Sequence, residues 1–216
     1  MSLLTSKYEN PFFTIIITTY NRSDIVLNAV QSVLNQTYDN WECIIIDDGS
    51  NDNTFNKLKD IIKQNDKFRY VFHKNKKQAY SKNVGILNSS AKYITFLDSD
   101  DLYLPNHLQL RYNILQDMHI DLLHGGVQII GSEFVPSIYN LNEKISIHNC
   151  VIGGTFFIKS ELINNIGRFD IVDYGDDTFL FRKILEHRAV IAKTNLRTYV
   201  YNRLSLDSIC NNMNNE

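Results

Sequence analysis

The chain has 216 residues, of which 44% are hydrophobic and 21% are charged. This length and composition are ordinary for one soluble globular domain and exclude intrinsic disorder as the default state. A formal net charge of −2 gives no electrostatic reason to expect a nucleic-acid partner. The cysteines Cys43, Cys150 and Cys210 are far apart and odd in number, which matches neither a disulfide framework nor the paired spacing of a zinc site.

The distribution of apolar residues bears on where the protein works. No apolar stretch approaches the ~18 residues that a membrane span needs, and we expect no signal peptide. We therefore expect a cytoplasmic protein. Peripheral attachment to the inner face of the membrane stays open as an alternative.

The first half of the sequence alternates apolar strands with amphipathic helices. Strands are predicted at residues 12–19, 41–46, 68–72 and 93–97, and helices at residues 25–34, around residues 58–62 and at residues 79–87. Polar residues 21–24 offer caps to the first helix. The only dense basic run, residues 74–77, is interpreted as a solvated loop. Strands separated by helices indicate right-handed βαβ units and a parallel sheet.

The second half is less regular. The predictions here are a helix at 106–118, a strand at 122–130, a polar loop at 132–149, an apolar segment at 155–158, a helix at 178–187, and one or two strands within 189–201. Three prolines and nine glycines, without a linker-like tract, favour one compact unit. We therefore predict a single domain over residues 1–216.

Polar clusters follow three of the predicted strands. Residues 18–22 follow the first strand, residues 47–50 the second and residues 98–101 the fourth. Ligands of open parallel sheets bind outside the carboxyl ends of the strands. Polar residues at strand ends are also ordinary turn chemistry. However, two of these clusters are multiply acidic, so a cation or a donor-rich ligand is needed to offset their mutual repulsion.

The segment Asp98-Ser99-Asp100 is the clearest candidate site. Residues two apart in an extended segment share a face, so both carboxylates can point into one cleft. Hard oxygen ligands of this kind suit Mg²⁺ or Mn²⁺. Asp101 is expected to cap the following helix instead.

An ordered set of motifs in this chain resembles that of family-2 glycosyltransferases. The motifs are Thr18-Thr19-Tyr20-Asn21-Arg22, Ser32-Val33-Leu34-Asn35-Gln36-Thr37-Tyr38, Asp47-Asp48-Gly49-Ser50, Lys82-Asn83-Val84-Gly85-Ile86, Phe96-Leu97-Asp98-Ser99-Asp100-Asp101, Gly167-Arg168-Phe169-Asp170 and Gly175-Asp176-Asp177. The resemblance implies the α/β GT-A fold of nucleotide-diphospho-sugar transferases, with a mostly parallel central sheet flanked by helices. It also implies a nucleotide-binding half, about 12–101, and a less regular acceptor half, about 102–216.

The resemblance assigns a nucleoside pocket to the first half. Thr18 and Tyr20 would line the pocket, Asp48 would accept a hydrogen bond from the base, as for uracil in similar enzymes, and Asp98 would hold the ribose. A buried carboxylate facing an imide N–H is the kind of contact that selects a base. Helix capping and core packing stay open as the alternative for Thr18 and Tyr20.

The resemblance also implies a metal ion, Mn²⁺ or Mg²⁺, held by Asp100. Lys82 stands where the family often has arginine and would meet the diphosphate as a point charge. Many relatives place a metal-binding histidine in a C-terminal segment where this chain has Leu204 and Ser205. Asp100 and the donor diphosphate would then be the main metal ligands.

Asp177 is the candidate general base. In an inverting transfer, a carboxylate must take the proton of the acceptor hydroxyl on the face opposite the leaving nucleotide. Asp177 aligns with the last residue of the family's Gly-Glu-Asp motif, and an acidic residue in a first helical turn is also ordinary. Asp176 is a rival for this role, and both it and Gly154 are candidate acceptor-binding residues.

Together these features predict an inverting glycosyltransferase. It would transfer a hexose or an N-acetylated hexose from a nucleoside diphosphate to a glycan or lipid-linked acceptor, and the expected donor is a UDP-sugar. The expected process is cell-surface polysaccharide synthesis. The absent histidine and Lys82 favour an alternative, a catalytically degenerate sugar-nucleotide-binding module. Asp48, Asp98, Asp100 and Asp177 together favour the enzyme, because a protein that only binds the donor has no use for Asp177. A nucleotidyltransferase is disfavoured, because the loop at residues 19–23 contains no glycine.

Overall fold

The computed structural model describes residues 10–204. Its first half contains the predicted alternation of strands and helices, and the strand bounds differ from the predicted ones by one residue at most. The elements are β1 (Phe13–Thr19), α1 (Val26–Leu34), β2 (Trp41–Asp47), α2 (Thr54–Gln64), β3 (Phe68–Phe72), α3 (Gln78–Leu87) and β4 (Tyr93–Asp98).

The second half is built from shorter strands. Its elements are β5 (Leu102–Tyr103), α4 (His107–Leu115), β6 (Leu122–His124), β7 (Val127–Ile130), β8 (Phe134–Pro136), β9 (Lys144–Ser146), β10 (Phe157–Lys159), α5 (Ser160–Ile166), α6 (Asp176–Glu186), β11 (Ile191–Lys193) and β12 (Tyr199–Asn202). Two 3-10 helices cover Ile147–Asn149 and Gly153–Thr155. Within residues 10–204, no helix combines the length and apolar character needed to cross a bilayer.

The main sheet has seven strands in the order β11-β6-β10-β4-β1-β2-β3. All pairs among β1, β2, β3 and β4 are parallel, and β11 pairs with β6 in parallel. Of the strands of this sheet within residues 10–204, only β10 runs antiparallel to both of its neighbours, β4 and β6. The predicted α/β fold with a mostly parallel sheet flanked by helices is therefore confirmed.

Helices cover both faces of this sheet because β1 is apolar on both sides. Ile15 and Ile17 pack with α1, α2 and α4 on one face, whereas Ile16 packs with α3, α5 and α6 on the other. All three isoleucines are at most 1% exposed. Burial of one such side chain contributes about 1.5–3 kcal/mol, so β1 is anchored from both faces.

The prediction of one strand over residues 122–130 is wrong. The chain breaks between β6 and β7 at Gly125 and Gly126, whose φ angles are +90° and +79°. These left-handed conformations suit glycine and end the extended run. As a result, β6 belongs to the main sheet and β7 to a three-stranded sheet of order β5-β12-β7.

Two further segments of the second half differ from prediction. The expected polar loop over 132–149 contains an antiparallel hairpin, β8 paired with β9. Helix α5 was not predicted at all. Both elements are short, and the hairpin's polar composition carries no alternating pattern that would reveal it.

Residues 21–24 do not cap α1, which carries no side-chain cap hydrogen bond. The Asn21 N–H instead donates to Ser50 Oγ at 2.8 Å, and the Ser23 N–H donates to Asp52 Oδ2 at 3.0 Å. The predicted caps therefore join the loop after β1 to the loop after β2.

The prediction that Asp101 caps the following helix is also wrong. Its carboxylate is fully buried and accepts hydrogen bonds from the Tyr199 hydroxyl at 2.5 Å and from the Asn202 N–H at 2.8 Å. Burial, and then neighbouring carboxylates, raise the pKa of Asp101 well above its usual value. Asp101 thus ties the acidic loop after β4 to β12.

Candidate functional site

The polar clusters of the first half meet at one edge of the sheet. β1 lies between β2 and β4, with Thr19 opposite Asp47 on one side and Thr18 opposite Asp98 on the other. The chain order β1-β2-β3 runs in one direction and β4 then lies on the opposite side of β1, which makes this a topological switch point. Ligands of open α/β sheets bind in such a crevice.

A cavity of about 970 Å³ lies at this edge and is called here the larger cavity. Six of the predicted site residues line it: Thr18, Tyr20, Asp48, Asp98, Asp100 and Asp176. Its volume is within the range of about 300–1,000 Å³ that small-molecule sites occupy. The fold therefore brings together residues that are far apart in the sequence.

Asp48 is held in a defined orientation in the wall of the larger cavity. Its Oδ1 accepts the Lys76 N–H at 2.7 Å and lies 3.4 Å from His73 Nδ1. The residue is only 5% exposed. A buried, oriented carboxylate can discriminate between ligands by whether they offer a donor.

Asp98 lies at the end of β4, where its Oδ1 accepts a hydrogen bond from Gln78 Nε2 at 2.7 Å. Burial raises the pKa of Asp98, and the nearby Asp100 and Asp176 charges raise it further, against the opposing effect of Lys82. The site thus concentrates negative charge that a bound cation would offset.

Asp100 forms a partly buried ion pair with Arg22. The Arg22 Nη1 atom lies 3.2 Å from Asp100 Oδ2, and the two side chains are 16% and 14% exposed. The loop after β1 therefore supplies a cation to the acidic loop after β4.

The oxygen atoms at this edge fit a divalent cation that takes part of its coordination shell from a bound ligand. Asp98 and Asp100 provide hard oxygen ligands, but within residues 10–204 no group of three or more His, Cys, Asp or Glu side chains is arranged to hold a metal. Mg²⁺ usually takes one or two protein carboxylates and completes its shell with phosphate oxygens and water. The residues fit an ion bound together with a phosphorylated ligand. Residues 205–208, part of the segment that departs from the family pattern, lie outside the described residues.

A second cavity, of about 430 Å³, adjoins the first and is called the smaller cavity. The two cavities share lining residues, among them Asp98 and Asp176. Lys82, Gly154 and Asp177 also line the smaller one. Its apolar wall comes mainly from the β8–β9 hairpin, the segment that follows it and α6, and includes Val135, Ile138, Ile145, Ile147, Phe181 and Leu185.

Asp177 lies in the first turn of α6, with both carboxylate oxygens engaged. Oδ2 accepts the Gly153 N–H at 3.0 Å and Oδ1 accepts the Thr178 N–H at 2.7 Å. Burial, and then the charge of Asp176, raise the pKa of Asp177 to about 6, although Lys82 acts in the opposite direction. A carboxylate with such a pKa is ionised at neutral pH and still basic enough to take up a proton.

Lys82 connects α3 to α6. Its ammonium donates to Asp176 Oδ2 at 2.9 Å and lies 4.9 Å from the centre of the Phe169 ring, and the residue is 5% exposed. Burial lowers the pKa of Lys82, but the charges of Asp176 and Asp98 outweigh this effect, so the net change is upward. Its contact with a diphosphate stays a prediction.

Gly154 is required by packing. A Cβ atom at this position would lie 2.2 Å from the Tyr199 hydroxyl oxygen, the same hydroxyl that donates to Asp101. The neighbouring Gly153 N–H orients Asp177. A continuous set of contacts thus connects the acidic loop with the candidate base, and acceptor binding by Gly154 stays a prediction.

Three residues of the larger cavity have contacts or an environment that the sequence alone does not assign to them. Arg22 pairs with Asp100, Gln78 bonds to Asp98, and the Thr19 hydroxyl is buried without a partner among the described residues. For Thr19 and Arg22, a position at or just after the end of a strand could have indicated a role in the site. No sequence feature indicated a role for Gln78, because its contact with Asp98 arises only when the β3–α3–β4 unit folds.

Residues 14–188 match the sequence pattern described as glycosyl transferase family 2. The UDP-Glc:alpha-D-GlcNAc-diphosphoundecaprenol beta-1,3-glucosyltransferase WfgD of Escherichia coli is 28% identical over 184 residues, which are 83% of this chain and 72% of that protein. A glycosyltransferase of Rickettsia bellii is 38% identical over 120 residues, 56% of this chain. This chain spans only 17%, 21% and 22% of the lengths of relatives from R. bellii, R. felis and R. conorii.

Solved structures share the fold. TarS of S. aureus, residues 1–349 in complex with UDP-GlcNAc, aligns with a TM-score of 0.76 at 18% identity, over 92% of this chain and 60% of that one. The mannosyltransferase PcManGT from Pyrobaculum calidifontis, in complex with GDP-Man and Mn²⁺, aligns with a TM-score of 0.69 at 17% identity, over 90% and 57%. At these identities the likeness concerns the fold, which is the GT-A type expected from the motifs.

Proposed function

Given that this chain belongs to glycosyl transferase family 2, we propose that it is an inverting glycosyltransferase. It transfers a sugar from a nucleoside diphosphate donor, a UDP-sugar, to a hydroxyl of a glycan or lipid-linked acceptor. The process it serves is the synthesis of cell-surface polysaccharide.

One observation carries this proposal: two adjoining cavities with different linings share Asp98 and Asp176, and Asp177 lines the smaller one. A transferase needs two substrates to meet at one point, with a base on the acceptor side. The larger cavity, with its polar and acidic lining, would hold the nucleotide. The smaller cavity would hold the acceptor next to Asp177.

The choice of a uracil nucleotide rests on Asp48 and on similar proteins. A buried carboxylate accepts from the imide N–H that uracil carries and cytosine lacks. TarS has been solved in complex with UDP-GlcNAc and with UDP, and the name of WfgD specifies UDP-Glc. Thr18 and Tyr20 would line the nucleoside pocket, and Asp98 would bind the ribose.

The chemistry proposed for Asp177 is a proton transfer. As the acceptor oxygen forms its bond to the anomeric carbon, the bond from that carbon to the diphosphate oxygen breaks and the acceptor proton passes to Asp177. The N–H groups of Gly153 and Thr178 keep the carboxylate oriented throughout. General-base assistance of this kind is worth about 10²–10⁴-fold in rate.

Asp100 is the residue proposed to hold Mn²⁺ or Mg²⁺. When bound, the ion would offset the charge of the departing diphosphate. Since Asp100 already pairs with Arg22, we expect the metal to bind weakly until a donor supplies phosphate oxygens. A similar protein, PcManGT, was solved with Mn²⁺.

The acceptor class is proposed from the smaller cavity. Its aliphatic wall suits an apolar group next to the accepting sugar, as in a lipid-linked saccharide. The name of WfgD specifies such an acceptor, a sugar on diphosphoundecaprenol. A free glycan would use the polar side formed by Asp176 and Asp177.

A panel of UDP-, GDP-, dTDP- and CMP-sugars with Mn²⁺ tests the proposal through donor hydrolysis and melting temperature. We expect UDP plus Mn²⁺ to raise the Tm more than either alone, since ligand at a hundredfold its Kd adds about 2.7 kcal/mol to stability. UDP-sugar hydrolysis should exceed that of the other donors. Stabilisation by no nucleoside diphosphate would refute the donor site, and binding without turnover of any donor would instead identify a degenerate binding module.

A further inference from the structure

We propose that Lys77 is a diphosphate-binding residue of the larger cavity. Before the donor binds, Lys77 forms an ion pair with Asp173, and the diphosphate then displaces Asp173. This inference rests on the proposed function, because it assigns a further contact to the same donor. It also replaces the interpretation of residues 74–77 as merely a solvated loop.

The position of Lys77 places it beside the proposed donor. The preceding residue donates its N–H to Asp48, and the following residue, Gln78, donates its side-chain amide to Asp98. The segment 76–78 therefore runs between Asp48, which is proposed to bind the uracil base, and Asp98, which is proposed to bind the ribose. Lys77 itself lines the larger cavity.

The backbone of Lys77 is in a conformation that suits glycine. Its φ is +70° and its ψ is 171°, a region that a residue with a Cβ atom occupies only at a cost in free energy. Such strained residues cluster at ligand-binding sites, where the surrounding structure enforces them. A residue other than glycine at this position is consistent with a use for its side chain.

The charges that line the larger cavity explain why a lysine at this position would bind a diphosphate. Among the described residues, the cavity lining includes five carboxylates and two cationic side chains, Arg22 and Lys77. A nucleoside diphosphate adds further negative charge and needs cations to offset it. Arg22 is already engaged with Asp100 in a partly buried pair. Lys77 is the cation that can be redirected at the lower cost.

Lys77 can be redirected at low cost because both it and its ion-pair partner, Asp173, are exposed. Lys77 Nζ lies 2.5 Å from Asp173 Oδ1, and the two side chains are 69% and 70% exposed. Exposed ion pairs contribute little to stability, because water screens both charges. A diphosphate in the larger cavity can therefore displace Asp173 from Lys77.

Calorimetric titration of UDP and of uridine tests this inference on a set of variants. Lys77→Ala should weaken UDP binding about tenfold or more, because a charge-assisted contact with phosphate is lost, and leave uridine binding unchanged. Lys77→Arg should keep UDP affinity near that of the wild type. Lys74→Ala, which removes a neighbouring exposed charge outside the cavity lining, is the matched control and should have little effect.

Two further variants separate charge from strain. Lys77→Gly should weaken UDP binding like Lys77→Ala but raise the Tm by about 2–4 °C, because the strained backbone is relieved. Asp173→Asn should tighten UDP binding about two- to fivefold, since a competitor for Lys77 is removed. In the Lys77→Ala background this gain should disappear.

The outcomes distinguish this inference from the proposed function. If the wild type binds UDP and Lys77→Ala binds it equally well, the assignment of Lys77 is overturned and the donor site stands. Equal weakening of UDP and uridine would also overturn it, because the effect would then concern the nucleoside. If the wild type binds neither ligand, the proposed function fails and this inference fails with it.

Discussion

The first half of the chain, residues 12–101, and the second half, residues 102–204, reach the same central sheet by different routes. In the first half, strands of five to seven residues pair in parallel with their neighbours through βαβ units. In the second half, strands of two to four residues join three different sheets, and sequence neighbours such as β6 and β7 separate. The first half is a regular scaffold, and the second adds irregular walls to it.

The two cavities reflect this difference. The larger one is lined mainly by loops after the parallel strands and the start of α3, where the fold itself collects polar residues. The smaller one depends on the β8–β9 hairpin and on the start of the 3-10 helix Gly153–Thr155, which have no counterpart in the first half. We infer that the first half binds the nucleotide and the second half carries out the transfer, a division that mutations can test.

Asp177→Asn should give the largest effect, confined to the transfer step. We expect the rate to fall by about 10²–10⁴, because the acceptor proton loses its base. Donor affinity should stay unchanged, since Asp177 lines the smaller cavity and not the larger one. Single-turnover transfer assays combined with UDP titration measure both quantities. Glu186→Gln, an exposed substitution at the other end of α6, serves as control. Normal turnover by Asp177→Asn would show that the base is misassigned.

Asp48→Asn should give the complementary result. Loss of the carboxylate facing the base should weaken UDP binding by about 10–100-fold, the cost of leaving a buried donor without its acceptor. The rate at saturating donor should change little. Titrations with UDP and CDP provide the measurement, and the variant should prefer UDP less strongly. Asp60→Asn, an exposed change on α2, is the control. A loss of rate without a loss of affinity would contradict the division between the halves.

The smallest effect concerns stability and its dependence on pH. The pKa of Asp177 is raised to about 6, above the ordinary value of 3.8, so the folded state holds the proton more tightly than the unfolded state. The ionised carboxylate therefore costs stability above pH about 6, and this cost disappears as the pH falls towards 4. We expect Asp177→Asn to be more stable by about 1 kcal/mol at pH 7.5, a Tm increase of about 2–4 °C.

Differential scanning calorimetry at pH 7.5 and pH 4.5 checks this expectation. The difference in Tm between variant and wild type should be smaller at the lower pH, where the wild-type carboxyl is protonated. A variant that is less stable at both pH values would mean that Asp177 supports the fold rather than the reaction. That result would contradict the division between a first half that binds the nucleotide and a second half that carries out the transfer.

The elements of the first half could be predicted from the sequence more accurately than those of the second half. The strands β1 to β4 were predicted within a residue, because buried parallel strands leave long β-branched runs that can be recognised locally. The strand at 122–130 was predicted as one element, because its break depends on two left-handed glycines that only a second sheet makes necessary. Asp101 was mistaken for a cap for a similar reason: its partners Tyr199 and Asn202 are about a hundred residues away.

By itself, the sequence determined the fold class, the edge of the sheet at which polar residues collect, and the ordered motifs of the family. These depend on local periodicity and on residues within short segments. The tertiary structure alone decided the pairing of Arg22 with Asp100 and of Lys82 with Asp176, the two adjoining cavities, and the strained Lys77 between Asp48 and Asp98. These features depend on which distant side chains share a desolvated space, and desolvation and charge pairing are properties of the packed fold rather than of any segment.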